Sequence, residues 1–247
     1  MPSPASKTAL SVDAVTKRFG GLVAVDAMSF ALAENEVLGL IGPNGSGKTT
    51  VMNLISGALK VSSGEIRLYG EEISNSPANE IAAKGVARTF QIVRMLPGLS
   101  VLENVEAGGV FGHSRKWGEE LEDHAHHLLR QVGLQVSDDT QVSALTYIDQ
   151  KRVELARALA SDPKVLLLDE WLAGLNPTEL KTGIALIEQL RAEGRTIIVV
   201  EHVMHAIRSL CDRCVVMNSG TKIAEGTPQQ VLADGEVIRA YLGDADA

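Results

Sequence analysis

The chain has 247 residues, of which 45% are hydrophobic and 22% are charged, and its formal net charge is -8. These values fit one large α/β domain or two small ones with an aliphatic core, since aromatic residues make up only 4%. The acidic balance argues against nucleic acid as the main partner and against membrane attachment through basic residues, because both need a basic face. The N-terminal segment 1–7 is polar and lacks the apolar core of a secretory signal, so we expect a cytoplasmic protein.

The first predicted elements are three strands that lead into a glycine-rich segment. Alternating apolar residues over 10–15 and the pattern over 25–32 predict two strands, and the apolar run 37–41 predicts a buried one. The nine residues that follow are Gly42, Pro43, Asn44, Gly45, Ser46, Gly47, Lys48, Thr49 and Thr50. Residues 51–55 fit a helix, so the segment lies between a strand and a helix, as a phosphate-binding loop requires.

Each residue type in this loop has a role in holding a polyphosphate. The glycines let successive backbone N–H groups turn inward, and the following helix adds the positive end of its dipole. Lys48 is placed to reach the β- and γ-phosphates, and Thr49 offers a hydroxyl to Mg²⁺. The segment therefore predicts a site for a nucleotide polyphosphate with Mg²⁺.

The pattern beyond this loop predicts an α/β fold with a helical insertion. Strands are predicted at 65–70 and 86–91, and three helices then follow without an intervening strand. These helices are predicted at 101–107, 118–132 and 150–160. Alternation resumes with strands at 165–168, 196–202, 214–217 and 222–225 and helices at 177–193 and 203–210. We expect a P-loop NTPase core with a mixed, mainly parallel sheet, an antiparallel β subdomain and an inserted α-helical subdomain.

Two of the apolar strands end in polar side chains that suit nucleotide chemistry. Asp169 and Glu170 follow one of them, at the carboxyl end where parallel sheets place ligand groups. Asp169 suits a Mg²⁺ contact, direct or through water, and Glu170 is placed to polarise a water for attack on the γ-phosphate. His202 ends another strand and can donate a hydrogen bond to the γ-phosphate, although a structural histidine fits as well. Gln91 is equally ambiguous by itself.

The order of these motifs resembles that of the ATP-binding subunits of ABC transporters, over nearly the whole chain. In sequence order they are Phe19, GPNGSGKTT at 42–50, Gln91, LTYIDQKRVELARAL at 145–159, VLLLDE at 165–170, AGLNP at 173–177 and Glu201-His202. The resemblance implies that Phe19 stacks on adenine and that Gln91 links Mg²⁺ and water to the transmembrane interface. It also implies that residues 174–177 meet a second subunit and that His202 is the switch histidine.

That family assignment implies a single ATPase domain with a defined set of partners. The domain is expected over 8–243, with the core and β subdomain at 8–91 and 164–243, the helical subdomain at 92–163, and flexible ends at 1–7 and 244–247. The implied cofactors are ATP and Mg²⁺. The implied partners are a second ATP-binding subunit, in a homo- or heterodimer around two ATP molecules, and transmembrane permease subunits. The protein would then sit peripherally on the inner face of the membrane.

The transporter branch is suggested by three local segments. Residues 18–21 (RFGG), 88–91 (RTFQ) and 237–243 (VIRAYLG) look like the branched-chain amino acid uptake branch. This likeness implies import of a hydrophobic or related amino acid and, indirectly, a periplasmic solute-binding protein. ATPases of lipopolysaccharide export are similar in the same segments and remain an alternative. A DNA-repair or translation ATPase would need a coiled-coil insert or a second cassette, and a P-loop kinase would lack the later motifs.

The signature segment, residues 145–149, departs from the family pattern LSGGQ. Thr146 keeps a hydroxyl for the γ-phosphate of ATP held by the opposite subunit, whereas Ile148 replaces a glycine that permits close approach. Asp149 stands at the start of the helix predicted at 150–160 and cancels part of its positive end. We therefore expect weaker ATP-driven dimerisation, and a hydrolytically weak, regulatory subunit paired with an intact sister ATPase is the main alternative. Trp171 stands where the family usually has proline, and the sequence offers no reason for it.

Three further groups of residues have a plain explanation and a functional one. Cys211 and Cys214 have C-x-x-C spacing, but no second pair completes a metal site, so two small buried hydrophobes are expected. The histidines at 124, 126 and 127 are expected on a solvated helix face. The apolar segment 95–99 is expected to be an exposed patch that meets a coupling helix of the permease, by the same resemblance.

Overall fold

The computed structural model describes residues 7–242, which form ten strands and nine α-helices. The strands are β1 Thr8–Phe19, β2 Leu22–Ala33, β3 Val37–Ile41, β4 Ser63–Leu68, β5 Glu71–Glu72, β6 Val86–Arg88, β7 Val165–Asp169, β8 Ile197–Val200, β9 Arg213–Asn218 and β10 Thr221–Gly226. The helices are α1 Lys48–Ile55, α2 Ala78–Lys84, α3 Val101–Phe111, α4 Glu119–Gln131, α5 Tyr147–Ala160, α6 Pro177–Ala192, α7 Met204–Leu210, α8 Pro228–Leu232 and α9 Gly235–Leu242. No helix in this part of the chain has the length and apolar character needed to cross a membrane.

A six-stranded sheet forms the centre of the fold, in the order β10-β9-β3-β8-β7-β6. All neighbours in it pair in parallel except β9 and β10, which form an antiparallel hairpin. Strands β3, β7 and β8 are buried at every residue, which explains their uninterrupted apolar sequences. The carboxyl ends of β3, β6, β7 and β8 therefore meet along one edge of the sheet, where the predicted site residues lie.

A second sheet is antiparallel, with the order β2-β1-β4-β5. Its apolar face packs with helix α1 against one side of the central sheet in a continuous buried cluster. The other side of the central sheet packs against helices α3 to α7 in a second buried cluster. The predicted fold class, with a mixed and mainly parallel sheet, an antiparallel sheet and a group of helices, is confirmed.

The helices α3, α4 and α5 follow one another between β6 and β7 and pack together. The predicted subdomain limits, 8–91 with 164–243 and 92–163, stay a prediction. The predicted flexible ends, 1–7 and 244–247, lie outside the described residues except for Lys7, whose carbonyl accepts the N–H of Glu34 at 2.8 Å.

Some predicted boundaries were wrong. Helix α5 begins at Tyr147 rather than at residue 150, because the Thr146 side chain accepts the N–H of Asp149 and caps the first turn. The strand predicted at 86–91 ends at Arg88. Helix α2 was not predicted because only Ile81 in it is buried, so its sequence has no apolar stripe. Helix α2 ends at Gly85, which has a left-handed backbone, and this glycine is the feature of the sequence that indicates the helix end.

Candidate active site

The loop between β3 and α1 has a backbone that requires glycine. Gly42 has φ 150°, and a Cβ there would lie 2.1 Å from the carbonyl oxygen of Met217. Gly47 has φ 104°, and a Cβ there would lie 2.7 Å from the carbonyl oxygen of Ala24. Helix α1 starts directly after Gly47, so its first N–H groups point out of the helix end toward this loop. The geometry suits an anion held by backbone donors.

Lys48 lies across this loop and is buried. Its Nζ donates to the carbonyl oxygens of Gly42 at 2.8 Å and Pro43 at 2.9 Å. Burial lowers the pKa of the Lys48 ammonium, while the carboxylates of Glu170 and Asp169 oppose this shift. Lys48 therefore places a partly desolvated cation between the phosphate loop and the two acidic residues at the end of β7.

A cleft of about 750 Å³ connects the phosphate loop with the ends of the neighbouring strands. Its walls carry most of the residues that the sequence singled out, together with the start of β2 and the turn between β9 and β10. The lining residues are Leu22, Val23, Ala24, Asn44, Gly45, Gly47, Lys48, Thr49, Thr50, Gln91, Glu170, His202, Ser219 and Gly220. The fold thus brings the phosphate loop, Gln91, Glu170 and His202 to one cavity.

Glu170 is the centre of a three-residue arrangement in this cleft. Gln91 Nε2 donates to one carboxylate oxygen at 2.7 Å, and His202 Nε2 lies 2.9 Å from the other. The carboxylate accepts only, so the His202 tautomer with a proton on Nε2 satisfies the contact. Glu170 has φ 50°, a left-handed conformation that non-glycine residues rarely adopt and that is often found at functional sites. The geometry therefore holds this carboxylate at a fixed position facing the loop.

Asp169 is paired with a residue that sequence reasoning missed. Arg88 Nη2 donates to Asp169 Oδ2 at 2.6 Å, and Arg88 Nη1 donates to Asn53 Oδ1 at 2.7 Å, so Arg88 joins β6, β7 and α1. The side chains of Arg88 and Asp169 are only 5% and 2% exposed. Asp169 Oδ1 is buried and has no hydrogen-bond partner among the described residues. A buried carboxylate oxygen near Lys48 and the phosphate loop fits a Mg²⁺ contact, direct or through water.

Besides the loop residues Gly42, Pro43 and Ser46 and the buried Asp169, three predicted residues do not line the cleft. Phe19 is at the end of β1, 45% exposed, with Lys17 Nζ 5.0 Å from its ring centroid. Thr146 and Asp149 lie at the start of α5. There the Thr146 hydroxyl donates to Asp149 Oδ2 at 2.7 Å, and Arg152 Nη1 lies 3.0 Å from Asp149 Oδ1. The Thr146 hydroxyl, which the sequence predicts to bind phosphate, therefore donates its hydrogen bond to Asp149 in this structure.

The structure supplies reasons for the two bulky residues that depart from the family pattern. Trp171 is 1% exposed, its indole N–H donates to the carbonyl of Lys151 at 3.1 Å, and Lys151 Nζ donates back to the Trp171 carbonyl at 2.8 Å. These two hydrogen bonds hold α5 against the segment that follows Glu170. Ile148 has room because it borders a pocket of about 210 Å³ between α5 and α6.

Glu201 is a buried acid directly before His202 that sequence reasoning assigned no role. Its Oε1 accepts the N–H of Leu172 at 2.7 Å. Burial raises the pKa of Glu201 from 4.5 to about 7, against the opposing effects of that hydrogen bond and of Lys151. Because the unfolded chain has the lower pKa, the folded protein binds the extra proton between about pH 4.5 and 7.

We expect the free energy of unfolding to fall as the pH rises through this window and to stay lower above it. Each pKa unit corresponds to about 1.4 kcal/mol. The rise of the Glu201 pKa from 4.5 to about 7 should therefore lower the free energy of unfolding by about 3 kcal/mol across this pH window. Glu201→Gln keeps an acceptor for Leu172 and removes the titration. Urea denaturation of both proteins from pH 4.5 to 8 measures the difference, and parallel pH curves for the two proteins would contradict the assignment.

Three further sequence hypotheses concern the two cysteines, the histidines of α4 and the segment 95–99. Cys211 and Cys214 are free and buried, and their contact with one another together with burial raises the pKa of the Cys211 thiol. No group of three histidine, cysteine, aspartate or glutamate side chains that could hold a metal ion occurs between residues 7 and 242. His126 instead pairs with Asp138 at 3.0 Å. In the segment 95–99, Leu96 is 40% exposed and Pro97 is exposed, whereas Met95 packs against the core; Ile92, just before the segment, is 81% exposed.

Comparison with known proteins identifies the family. Residues 25–173 match the ABC transporter family, and residues 221–247 match the family described as branched-chain amino acid ATP-binding cassette transporter. The chain is 40% identical to the high-affinity branched-chain amino acid transport ATP-binding protein BraF of Pseudomonas aeruginosa, over 97% of this chain and all of that protein.

Solved structures agree with this result. The ADP conformation of MJ1267, an ATP-binding cassette of an ABC transporter, has a TM-score of 0.84 and 32% identity over 96% of this chain and 99% of that chain. A dimeric post-hydrolysis state of the cassette MJ0796, bound to ADP and Pi, has a TM-score of 0.80 and 26% identity over 89% of this chain and 98% of that chain. The chain therefore belongs to the ABC transporter family, as one of its ATP-binding, ATP-hydrolysing subunits.

Proposed function

We propose that this chain hydrolyses ATP to drive a membrane permease that imports branched-chain or related amino acids. The observation that carries the proposal is Glu170, held between Gln91 and His202 in the cleft that also contains the phosphate loop. The amino acid class rests on the likeness to BraF, which is named as a branched-chain amino acid transport protein. The ATP site residues and the transported solute are parts of this one proposal.

In the proposed mechanism the described residues divide the work on the phosphates. Glu170 acts as general base for the attacking water, and Lys48 stabilises negative charge on the β- and γ-phosphates. The loop residues Gly42, Pro43, Asn44, Gly45, Ser46, Gly47, Thr49 and Thr50 surround the phosphates through backbone and hydroxyl groups. Thr49, Gln91 and Asp169 would hold Mg²⁺. When bound, this ion neutralises charge that develops during phosphoryl transfer.

Two side chains at the edges of the cleft complete the nucleotide site in this proposal. Phe19 stacks on the adenine ring, since it lies exposed at the end of β1 next to the hairpin residue Leu22, which lines the cleft. His202 donates a hydrogen bond to the γ-phosphate and gives up its contact with Glu170 when the nucleotide is present. This exchange would free Glu170 for the water.

The proposed working form is a dimer with the permease. Thr146 and Asp149 contact the ATP of the opposite subunit, which is a second copy or a sister ATPase. The dimer of the MJ0796 cassette, with ADP and Pi, supports this arrangement. The permease would hold the subunit at the inner face of the membrane, and a periplasmic solute-binding protein would deliver the amino acid from the other side.

Reconstitution tests the proposal as a whole. The chain is combined in liposomes with the permeases, solute-binding protein and any sister ATPase that are encoded beside it, and ATP-dependent uptake of radiolabelled leucine is measured. Uptake with hydrolysis supports the proposal. Export of a lipid-linked substrate, or uptake that needs only the sister subunit's ATPase, would support the exporter or the hydrolytically weak subunit instead.

The bond between Thr146 and Asp149 gives a prediction for dimerisation. In the Glu170→Gln background, Asp149→Gln should strengthen ATP-dependent dimerisation about three- to thirtyfold. A carboxylate near the N-terminus of a helix cancels roughly 0.3–1 kcal/mol of dipole attraction for phosphate, and a dimer of two copies of this chain has two such sites. The substitution also releases the Thr146 hydroxyl from its carboxylate acceptor.

Analytical ultracentrifugation with and without ATP measures this change. Asp123→Asn, an exposed acid on α4, is the matched control for the loss of one negative charge. Equal dimerisation of the Asp149→Gln and Asp123→Asn proteins would show that Asp149 does not limit closure of the composite site.

A further inference from the structure

The loop that carries Gln91 is held by side chains rather than by secondary structure. Residues 89–99 contain no helix or strand, so their backbone polar groups need partners from elsewhere. Glu154 on α5 accepts the N–H of Phe90 at 3.2 Å through Oε2 and the N–H of Arg94 at 2.8 Å through Oε1. The two bonded N–H groups lie on either side of Gln91 in the chain.

Glu154 is suited to hold this backbone firmly. Its side chain is only 1% exposed, and each of its oxygens accepts a different N–H group. Hydrogen bonds to a charged acceptor in a poorly solvated place are stronger than those between neutral groups. Arg157, one turn further along α5, donates to the Arg94 carbonyl, so the same helix holds this residue by both its donor and its acceptor.

The far end of the loop is held by a different element. Asn104 on α3 accepts the N–H of Leu96 at 3.0 Å and donates to the carbonyl oxygens of Leu96 and Leu99 at 3.1 and 3.2 Å. The part of the loop next to Gln91 therefore contacts α5, and the distal part contacts α3, where Arg157 Nη1 of α5 also donates to Asn104 Oδ1 at 3.3 Å. Because both N–H groups that Glu154 accepts lie in the first part, its contribution can be separated from general support of the loop.

We propose that Glu154 is a positioning residue for Gln91 and that it ties the position of Gln91 to helix α5. Gln91 reaches Glu170 at 2.7 Å through a side chain that starts from the backbone next to Phe90. Helix α5 begins one residue after Thr146, in the segment proposed to meet the ATP of the opposite subunit. A displacement of α5 on dimer closure would then move Gln91 in the cleft of its own subunit. The inference rests on the proposed ATPase function.

The decisive variant is Glu154→Gln in the full chain, in a double-mutant cycle with Gln91→Ala. The amide keeps the size of the side chain but accepts at one end only, so one backbone N–H loses its acceptor. We expect kcat for ATP to fall about tenfold, with KM within about twofold of the original value, because the loss affects positioning rather than nucleotide contacts. In the double variant, kcat should be no lower than in Gln91→Ala alone.

Hydrogen exchange provides a readout that does not depend on turnover. The amide that loses its acceptor, 90 or 94, should exchange about tenfold faster in Glu154→Gln, with the amides of Leu96, Gly98 and Leu99 unchanged. Glu103→Gln is the matched control, since Glu103 also accepts a backbone N–H, that of Ser100 at 2.7 Å, away from Gln91. Glu154→Asp, which keeps the charge but shortens the reach, replaces Glu154→Gln if that protein does not fold.

The outcomes separate the inference from the function on which it rests. An original protein without ATPase activity in the complete complex would overturn the proposed function, and the exchange data would still decide whether Glu154 holds the loop. The positioning role would be overturned by an active protein in which the separate kcat losses of Glu154→Gln and Gln91→Ala multiply in the double variant. It would also be overturned if hydrogen exchange changed at neither amide 90 nor amide 94.

Discussion

Glu170→Gln should lower kcat for ATP by roughly 100- to 10,000-fold while ATP binding is retained, because it removes the proposed general base. In the structure both oxygens of this carboxylate accept hydrogen bonds, one from Gln91 and one from His202. The amide would keep the shape of the side chain and accept from only one of these donors. Nucleotide contacts on the phosphate loop do not involve Glu170, so the affinity for ATP should change little.

The measurement is steady-state phosphate release together with binding of a fluorescent ATP analogue. Glu188→Gln is the matched control, since Glu188 is an exposed acid on α6 outside the cleft. Hydrolysis close to the original rate in Glu170→Gln would refute the assignment of the base. A loss of ATP binding in the same protein would instead indicate that Glu170 supports the loop.

Lys48→Ala should abolish productive nucleotide binding. The buried ammonium donates directly to two carbonyl oxygens of the loop, those of Gly42 and Pro43. Loss of a buried charge from a charge-paired contact costs roughly 2–5 kcal/mol, which corresponds to an affinity loss of about thirtyfold or more. Hydrolysis should fall further than affinity, because charge on the phosphates grows in the transition state.

Titration with the fluorescent ATP analogue measures the affinity, and thermal denaturation checks the fold. Lys60→Ala removes an exposed lysine and should leave both quantities unchanged. An Lys48→Ala protein that binds and hydrolyses ATP normally would contradict the proposed phosphate site. Lys48→Ala with an unchanged affinity but a slow turnover would restrict the role of Lys48 to the transition state.

The phosphate loop and the residues at the strand ends differ in how fully the sequence predicts them. The phosphate loop is a contiguous segment whose function depends on successive backbone groups, so its residue types and spacing predict it directly. Asp169, Glu170 and His202 were found because apolar strands deliver polar residues to one edge of a parallel sheet. Their arrangement around Glu170 needed the order of the strands, which places β6, β7 and β8 side by side.

Element boundaries failed where side chains, and not hydrophobic patterns, set the ends. Helix α5 starts three residues before its predicted start because Thr146 caps it. The strand β6 stops at Arg88, and the next donor on β7, the N–H of Asp169, donates to the Thr89 hydroxyl at 3.4 Å. Neither effect changes the apolar periodicity from which the boundaries were predicted.

The sequence by itself determined the fold class, the phosphate loop and the family, because each depends on local patterns or on motifs in a fixed order. Only the tertiary structure decided which charged residues support the site. Arg88 and Asp169 are 81 positions apart, and Glu154 is 64 positions from Phe90. In the sequence Arg88 and Glu154 look like ordinary surface charges. They become buried partners only when β6, β7 and α5 pack together, since desolvation then makes each hydrogen bond necessary.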